Sequence, residues 1–409
     1  MSEWKLKDCC LSISDGDHLP PPKTDSGIPF ITISNIDSTN HIDFGNTLFV
    51  PIEYYEKLDD IRKARPNDII YSVVGSFGKP VLIKDDRKFV FQRHIAILRP
   101  NSEIVDSRFL YYVMLSRDFY MQADTVAIGA AQRTISLSSL RNMKVELPPL
   151  PIQLRIATIL SRYDTLIENY QKQIKLLEEA AQRLYKEWFV ELRFPGHESA
   201  KIVDGVPEGW ERKKAIDFFE MSIGKTPPRA EKQWFTDGKE GVPWVSISDM
   251  KDVTYLLQTS EGLTKEACEK HNVRIVDEGA VLLSFKLTVG RVSIAGMNVC
   301  TNEAIAHFNK NGDNWREYTL LYLRNYNFDT LGNTSGISKA VNSTIVKNMP
   351  FLMPSEKVLD AFRNVEKPLF QKIKNLSFQI RLLTEARDRL LPKLMGGEMD
   401  VVLENYPAV

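Results

Sequence analysis

The chain carries an internal repeat, and this feature constrains its fold more than any other. Residues 27–35 (GIPFITISN) return as residues 241–249 (GVPWVSISD), and residues 174–180 (IKLLEEA) return as residues 380–386 (IRLLTEA). By subtraction, the later copies lie 214 and 206 positions after the earlier ones. Because order and spacing are both kept, the sequence predicts a duplication in which a domain and a helix each occur twice.

Each half is predicted to hold short strands and few helices. Residues 30–33, 68–74 and 89–98 are apolar or β-branched runs bounded by Gly, Pro or Asp, which is typical of strands. A helix is expected over residues 107–121. The predicted fold class is therefore α+β, with two similar, mostly-β domains separated by two long helices. The expected boundaries are residues 1–148 and 206–354 for the domains, 149–195 and 355–400 for the helices, 196–205 for a linker and 401–409 for a tail.

Both predicted helices carry an apolar seam with alternating steps of four and three residues, the heptad pattern of a coiled coil. In the first helix the seam residues are Ile156, Leu160, Tyr163, Ile167, Tyr170, Ile174, Leu177, Ala181, Leu184 and Trp188. In the second they are Leu369, Ile373, Leu376, Ile380, Leu383, Leu390 and Leu394, with Arg387 at a polar position. A long helix with one apolar stripe is not stable alone in water. We therefore expect the two stripes to pair as a coiled coil, which is antiparallel if a pseudo-two-fold axis relates the two halves of the duplication. The alternative is that each helix packs on its own domain.

The ends of both helices are marked by helix-breaking residues. Pro151 suits a first helical turn, and residues 194–196 (FPG) are expected to stop the first helix. Residues 396–397 (GG) are expected to stop the second, and Pro392 is expected to bend or end its last turn.

The balance of charge gives no sign of a wholly basic domain. Lys and Arg number 53, and Asp and Glu also number 53, so the formal net charge is zero. Any surface for nucleic acid must therefore come from local patches. The four cysteines form no CxxC pair, and the histidines give no metal-site spacing, so reduced buried thiols and no metal are expected. No signal peptide or membrane-spanning run is evident, and we expect a cytoplasmic location.

Several motifs resemble those of one protein family. Residues 148–160 (PPLPIQLRIATIL), followed by residues 164–167 (DTLI), are similar to the central conserved region of type I restriction–modification specificity subunits. Residues 206–210 (VPEGW) resemble the start of a target-recognition domain in that family, and residues 129–137 and 282–291 are similar to further family segments. The resemblance covers nearly the whole chain.

The resemblance implies a function and a set of partners. One specificity subunit lies along double-stranded DNA, each target-recognition domain reads one half of a bipartite sequence, and the helices fix the gap between the halves. Two modification subunits dock on the helices and methylate adenine with S-adenosylmethionine. Restriction subunits, when bound, use ATP and Mg²⁺ to translocate and cleave DNA. None of this chemistry would reside in this chain, so we expect a non-catalytic subunit with no cofactor of its own.

The motifs of the relevant enzymes are missing from the sequence. Neither the NPPF nor the DPPY form of the adenine methyltransferase signature occurs, and there is no GxSxG. Residues 223–226 (IGKT) mimic the end of a phosphate-binding loop, but Phe219 stands where the first glycine must be.

Candidate DNA contacts lie where Lys and Arg exceed acidic residues locally, because cations bind phosphates, whereas Arg, Lys, Asn and Gln also read base edges. Such segments occur at matching places in both halves. The candidates in the first half are Lys79, Arg87, Lys88, Gln92, Arg93, Gln132 and Arg133. Those in the second half are Lys225, Arg229, Lys286, Arg291 and Lys339. For any single one, a solvated surface charge is an equally good interpretation.

A second function stays open at this point. The chain could be a coiled-coil scaffold that presents two protein-binding domains without any role in DNA binding, and the zero net charge slightly favours that hypothesis.

Overall fold

The computed structural model describes residues 2–16, 21–37, 39–130, 132–331 and 341–399. They form two compact units. Unit 1 joins the residues up to Leu166 with those from Leu383 onward, and unit 2 is the continuous segment Ile167–Leu382.

Unit 1 is built on two small sheets and a strand pair. Its strands are β1 (Ser2–Lys5), β2 (Cys10–Asp15), β3 (Ile28–Ile31), β4 (Leu48–Val50), β5 (Ile69–Ser72), β6 (Pro80–Leu82), β7 (Val90–Phe91), β8 (Ile95–Pro100) and β9 (Lys144–Leu147). The larger sheet is antiparallel with the order β2-β8-β5-β6. The smaller sheet has the order β4-β3-β7, with β3 and β7 parallel, and β1 pairs with β9.

The helices of unit 1 are α1 (Leu6–Cys9), α2 (Ile52–Glu56), α3 (Ser107–Leu115), α4 (Arg117–Val126), α5 (Leu137–Asn142) and the start of α6 (Leu150–Tyr185). All of them except α2 contribute side chains to the core on one face of the larger sheet. Ile69 and Leu98 of the sheet share a core with Phe109 and Leu110 of α3, and all four side chains are buried. This core supports the sheet that carries the loop between β5 and β6 and the loop before β8.

The helix predicted over residues 107–121 is two helices, so that prediction was wrong in one respect. Ser116 interrupts it with an extended backbone conformation, and its side chain accepts a hydrogen bond from the backbone N–H of Phe119. A serine in this role caps a new helix rather than continuing the old one. The apolar periodicity carried no sign of the break because both helices bury their apolar faces in the same core.

Unit 2 repeats the strand order of unit 1 and adds to it. Its strands are β10 (Ile202–Val203), β11 (Val206–Pro207), β12 (Glu211–Lys214), β13 (Glu220–Ile223), β14 (Phe235–Asp237), β15 (Val242–Val245), β16 (Tyr255–Leu256), β17 (Glu261–Leu263), β18 (Val281–Ser284), β19 (Val292–Ala295), β20 (Cys300–Thr301), β21 (Ile305–Asn309) and β22 (Pro350–Met353). The large sheet has the order β13-β21-β18-β19-β16, and its first four strands match the β2-β8-β5-β6 sheet of unit 1. The smaller sheet, β14-β17-β15-β20, has one strand more than its counterpart. The predicted α+β class and internal duplication are thus confirmed.

The helices of unit 2 are α7 (Ala215–Phe218), α8 (Lys265–Lys270), α9 (Arg316–Asn325), α10 (Ser343–Lys347) and most of α11 (Glu356–Met395). Leu320 and Leu321 of α9 are buried in one core with Val281 and Leu283 of the large sheet. This arrangement matches the packing of α3 on the sheet of unit 1.

Within unit 1, α6 and α11 run antiparallel. Ile156 and Leu160 of α6 share a core with Leu391 and Leu394 of α11. One turn further along α6, the Asp164 carboxylate accepts a hydrogen bond from Arg387 (Nη1 to Oδ1, 2.7 Å) and another from the hydroxyl of Tyr112 (2.5 Å). Residues later in α6 therefore contact residues earlier in α11, as expected for antiparallel helices.

Within unit 2, the same two helices are also antiparallel. Ile174 packs on the core that contains Phe370 and Ile373 of α11, and Trp188 lies against Phe362 with ring centroids 5.4 Å apart. The predicted antiparallel pairing is confirmed. None of the predicted seam side chains is exposed.

The helix ends differ from the predicted boundaries. The first helix was expected over residues 149–195, but α6 ends at Tyr185 and is followed by a π-helical turn at Lys186–Val190, so Trp188 lies outside the α-helix. The turn lets Trp188 and Phe189 both enter the core. The second helix ends at Met395 rather than residue 400, within one turn of Pro392.

Candidate nucleic-acid interface

A tight turn that we call hairpin 1, residues 72–79, connects β5 to β6. The hydroxyl of Ser72 accepts a hydrogen bond from the backbone N–H of Lys79 (2.9 Å) and donates one to the carbonyl of Ser76 (3.0 Å). The N–H of Gly78 donates to the carbonyl of Ser72 (3.0 Å). One fully buried serine thus holds both arms of the turn in a fixed shape.

Hairpin 2, residues 284–291, connects β18 to β19 in the same way. The hydroxyl of Ser284 accepts from the N–H of Arg291 (3.0 Å) and donates to the carbonyl of Thr288 (2.6 Å). The N–H of Gly290 donates to the carbonyl of Ser284 (2.9 Å). The two hairpins therefore share these three hydrogen bonds, at residue numbers that differ by 212.

A second loop lies beside each hairpin, just before β8 in unit 1 and just before β21 in unit 2. The N–H of Val73 donates to the carbonyl of His94, and the N–H of Phe285 donates to the carbonyl of Ala304, both at 2.9 Å. These backbone bonds fix each loop against its hairpin. The loops are named turn 1 (residues 92–94) and turn 2 (residues 302–304).

A third segment completes each group. In unit 1 the N–H of Gly75 donates to the carbonyl of Arg133 (2.9 Å), which joins residues 132–134 to hairpin 1. In unit 2 the N–H of Lys225 donates to the carbonyl of Thr301 (2.9 Å), the residue that precedes turn 2, so residues 224–229 lie beside that turn. Residues 132–134 and 224–229 come from different places in the repeat. Loop cluster 1 is defined as residues 72–79, 92–94 and 132–134, and loop cluster 2 as residues 224–229, 284–291 and 302–304.

The structure brings most of the predicted DNA contacts into these two clusters. Loop cluster 1 holds Lys79, Gln92, Arg93, Gln132 and Arg133, and loop cluster 2 holds Lys225, Arg229, Lys286 and Arg291. Arg87 and Lys88 lie elsewhere, in the connection from β6 to β7. Their cationic groups are 4.4 Å from the ring centre of Phe44 and 5.7 Å from that of Tyr55, respectively. Lys339 lies outside the described residues.

At one equivalent position the two clusters carry opposite charges. Arg93 comes two residues before Ile95, where β8 begins, and Glu303 comes two residues before Ile305, where β21 begins. Arg93 is exposed. Burial lowers the pKa of the neighbouring His94, and the Arg93 cation lowers it further.

Glu303 has cationic neighbours within its own cluster. Burial alone would raise its pKa, but a hydrogen bond from the Thr226 hydroxyl and the charges of Lys286 and Arg229 hold the pKa below its ordinary value. Glu303 is therefore an ionised acceptor on a mainly basic surface.

Three predicted arginines already have partners inside their units. Arg133 pairs with Asp124 and lies 5.3 Å from the centre of the Phe77 ring. Arg291 donates to the carbonyl of Ile247 at 2.7 Å.

Arg229 is held most tightly of the three. It binds both carboxylate oxygens of Glu261, at 2.8 and 2.9 Å, and its guanidinium is 4.4 Å from the ring centres of both Phe235 and Trp244. These contacts stabilise the local fold and leave Lys79, Arg93, Lys225 and Lys286 as the cations best placed to meet phosphates.

Several residues in these clusters were not predicted from the sequence. Phe77 and Leu287 occupy the hairpins, and Thr226 and Glu303 form the acidic contact in loop cluster 2. Only the repeat itself could have found Glu303, because aligning Ile95 with Ile305 places it opposite Arg93. A search for excess positive charge passes over all four.

Neither a metal cluster nor a membrane span emerges from the described part of the chain. Its His, Cys, Asp and Glu side chains form no group of three or more that could hold a metal ion. No helix within it is both long and apolar enough to cross a membrane.

Comparison with known proteins places the chain in a family. A family model described as the type I restriction modification DNA specificity domain matches the sequence twice, over residues 3–179 and 207–375. The chain belongs to this family. The first matched segment of the specificity-family chain contains loop cluster 1 and most of α6. The second contains loop cluster 2 and half of α11.

Individual specificity subunits are similar over long stretches. The type I restriction enzyme MjaIX specificity subunit of Methanocaldococcus jannaschii is 27% identical over 310 residues, which is 73% of this chain and 70% of that protein. The HindI specificity subunit of Haemophilus influenzae is 24% identical across 98% of this chain and 100% of its own. The crystal structure of a type I restriction–modification S subunit from M. genitalium has a TM-score of 0.55 and 16% identity, covering 96% of this chain and 95% of that one, and so shares the fold.

Proposed function

We propose that the chain reads DNA sequence for a type I restriction–modification complex, and that each globular domain reads one half of a bipartite target. The observation that carries this proposal is that hairpin 1 with turn 1 and hairpin 2 with turn 2 share their backbone hydrogen bonds but differ in side chains. Arg93 in one corresponds to Glu303 in the other. In the major groove Arg commonly binds guanine, whereas Glu accepts a hydrogen bond from the amino group of cytosine. One scaffold with different side chains suits two different half-sites.

In this proposal the paired helices set the distance between the half-sites and dock two modification subunits. Both helices carry exposed apolar side chains. In the unit 2 portion of α6 and α11, Leu176 is 63% exposed, Leu382 46% and Phe378 43%. Neighbouring apolar groups left in water indicate a surface that another protein covers, and Phe378 and Leu382, four residues apart, lie on one face of α11.

The chemistry of the complex would belong to its other subunits. The modification subunits would use S-adenosylmethionine to methylate adenine, and restriction subunits, where present, would use ATP and Mg²⁺. The specificity chain would contribute binding energy and register on DNA and would itself be non-catalytic.

The test is a map of methylated adenine across the host genome by single-molecule sequencing. Three strains are compared: the parent, a strain lacking only this gene, and that strain with the gene restored. We expect one split, asymmetric motif to lose methylation in the deletion strain and to regain it on complementation. If methylation is unchanged in a strain that expresses an active modification subunit, the DNA-reading role is refuted and a scaffold role takes its place.

A further inference from the structure

The tip of hairpin 2 combines two unfavourable properties in one residue. Leu287 is 93% exposed, more than any other large apolar side chain in the described part of the chain. Its backbone φ is +60°, in the left-handed region. Leucine at positive φ is strained because its Cβ approaches the following carbonyl oxygen.

Hairpin 1 shows that the fold does not require this strain. Subtracting 212 from Leu287 gives Gly75, which has φ of +69° in the matching hydrogen-bonded turn. Glycine adopts that conformation without steric cost. Hairpin 2 therefore keeps a strained, water-exposed leucine where a glycine would fold more easily. A residue of this kind is expected to be retained for contact with something outside the chain.

The surroundings of Leu287 suit nucleic acid. Its neighbour Lys286 belongs to the basic surface of loop cluster 2, and its ammonium group lies 5.6 Å from the ring centre of Phe285. The Ser284 hydrogen bonds hold the backbone of the tip, so Leu287 is presented by a preformed turn. On DNA, the cation of Lys286 can bind a phosphate while the projecting Leu287 side chain contacts an apolar group on the edge of a nearby base.

The width of the hairpin selects the groove. Two paired strands lie about 4.8 Å apart, and with side chains such a ribbon fits the major groove, about 12 Å wide, but not the minor groove, about 6 Å wide. The only methyl group that the four bases present in the major groove is the C5-methyl of thymine.

We propose, on the basis of the function proposed above, that Leu287 is a specificity-determining contact of the second domain that packs against the C5-methyl group of a thymine. Gly75 gives the first domain no such contact. The effect of changing Leu287 is therefore confined to the half-site read by the second domain.

The experiment uses the full chain assembled with its modification subunits, and duplex DNA that carries the motif found by methylation mapping. Leu287→Asn is the main variant, because Asn tolerates left-handed φ and lacks methyl groups. Leu287→Met retains an apolar side chain. Leu11→Asn, which alters a leucine that is 67% exposed in unit 1, is the matched control. Thermal unfolding and size-exclusion chromatography check that each variant folds and assembles.

We expect Leu287→Asn to weaken binding by roughly 10-fold to 100-fold, the value of burying one leucine side chain, with thermal stability no lower than that of the parent. Leu287→Met should recover part of the affinity, and Leu11→Asn should bind as the parent does. Replacing thymine by uracil, one position at a time, should weaken the parent complex by about fourfold at one position in one half-site. It should have no effect there on Leu287→Asn.

Different failures identify different errors. If the parent complex shows no sequence selectivity, the proposed function fails and this inference fails with it. If the parent is selective but Leu287→Asn binds equally well, only the inference is overturned. Weaker binding by Leu287→Asn without any effect of uracil overturns the thymine contact.

Discussion

Glu366 should make the stability of unit 2 fall as pH rises. It lies in α11, is fully buried, and neither carboxylate oxygen has a hydrogen-bond partner within the described residues. Burial, together with the nearby carboxylate of Glu317, raises the pKa of Glu366 from 4.5 to about 7. Burial also raises the pKa of Glu317. Two buried carboxyl groups near each other cannot both ionise without cost.

The sign and size of the effect follow from the raised pKa. Protonated Glu366 is tolerated, so its contribution to stability is fully present below about pH 4.5 and is lost as pH rises through about 7. Each tenfold difference in proton affinity corresponds to about 1.4 kcal/mol, so full ionisation costs unit 2 roughly 3 kcal/mol.

The perturbation is Glu366→Gln, which keeps the shape and cannot ionise. The free energy of unfolding is measured in urea near pH 5 and near pH 8.5 by tryptophan fluorescence. This signal reports on unit 2, because five of the six tryptophans lie there. The amide carries its own cost of burial, but that cost is the same at both pH values. Part of the loss has already occurred at pH 5, which lies above the unfolded pKa, so we expect the parent to lose roughly 2.5 kcal/mol more than the variant between the two pH values.

The control is Glu356→Gln, which changes an exposed glutamate at the start of the same helix. It should keep the pH dependence of the parent. Equal pH dependence of the parent and Glu366→Gln would refute the reasoning, since it would mean that Glu366 ionises as easily in the folded chain as in the unfolded one.

Three further changes test the assignment of arginines. Arg387→Met should lower the free energy of unfolding of unit 1 by about 3 kcal/mol because it leaves the partly buried Asp164 carboxylate without its cation, whereas the exposed Arg389→Met should have little effect in the same thermal or urea unfolding. Arg229→Met should cost about 1 kcal/mol and change tryptophan fluorescence, because it removes a partly exposed ion pair and two aromatic contacts; a variant of unchanged stability that binds DNA poorly would contradict this structural role. Arg93→Ala should weaken DNA binding by the complex and reduce the slope of log affinity against log salt by about 1, while Arg87→Ala, which lies outside loop cluster 1, should leave that slope unchanged.

The sequence was most informative where structure depends on neighbours along the chain. The seam from Ile156 to Leu184 repeats at fixed steps, so its periodicity alone predicted a long helix and, with the matching stripe near Ile380, an antiparallel pair. The break at Ser116 was missed because a serine can continue a helix or cap a new one, and the choice depends on packing.

The candidate site was harder to predict from the sequence because its contacts join residues that are far apart along the chain. Arg229 is bound to Glu261, 32 positions away, and no sequence pattern near either residue predicts this ion pair. Arg93 and Lys286 were found because they are cations in basic segments. Leu287 was missed because an apolar residue in a mainly hydrophobic segment is expected to be buried. Its exposure and its positive φ are known only from the structure.

Unit 1 gathers residues from two distant parts of the chain, whereas unit 2 is one continuous stretch. The core around Ile156 and Leu160 is closed by Leu391 and Leu394, which the ribosome makes more than two hundred residues later. The second domain can therefore finish folding while the first still lacks part of its core, the reverse of the usual order during synthesis. A premature stop after residue 382 would consequently remove core residues from the domain that was translated first.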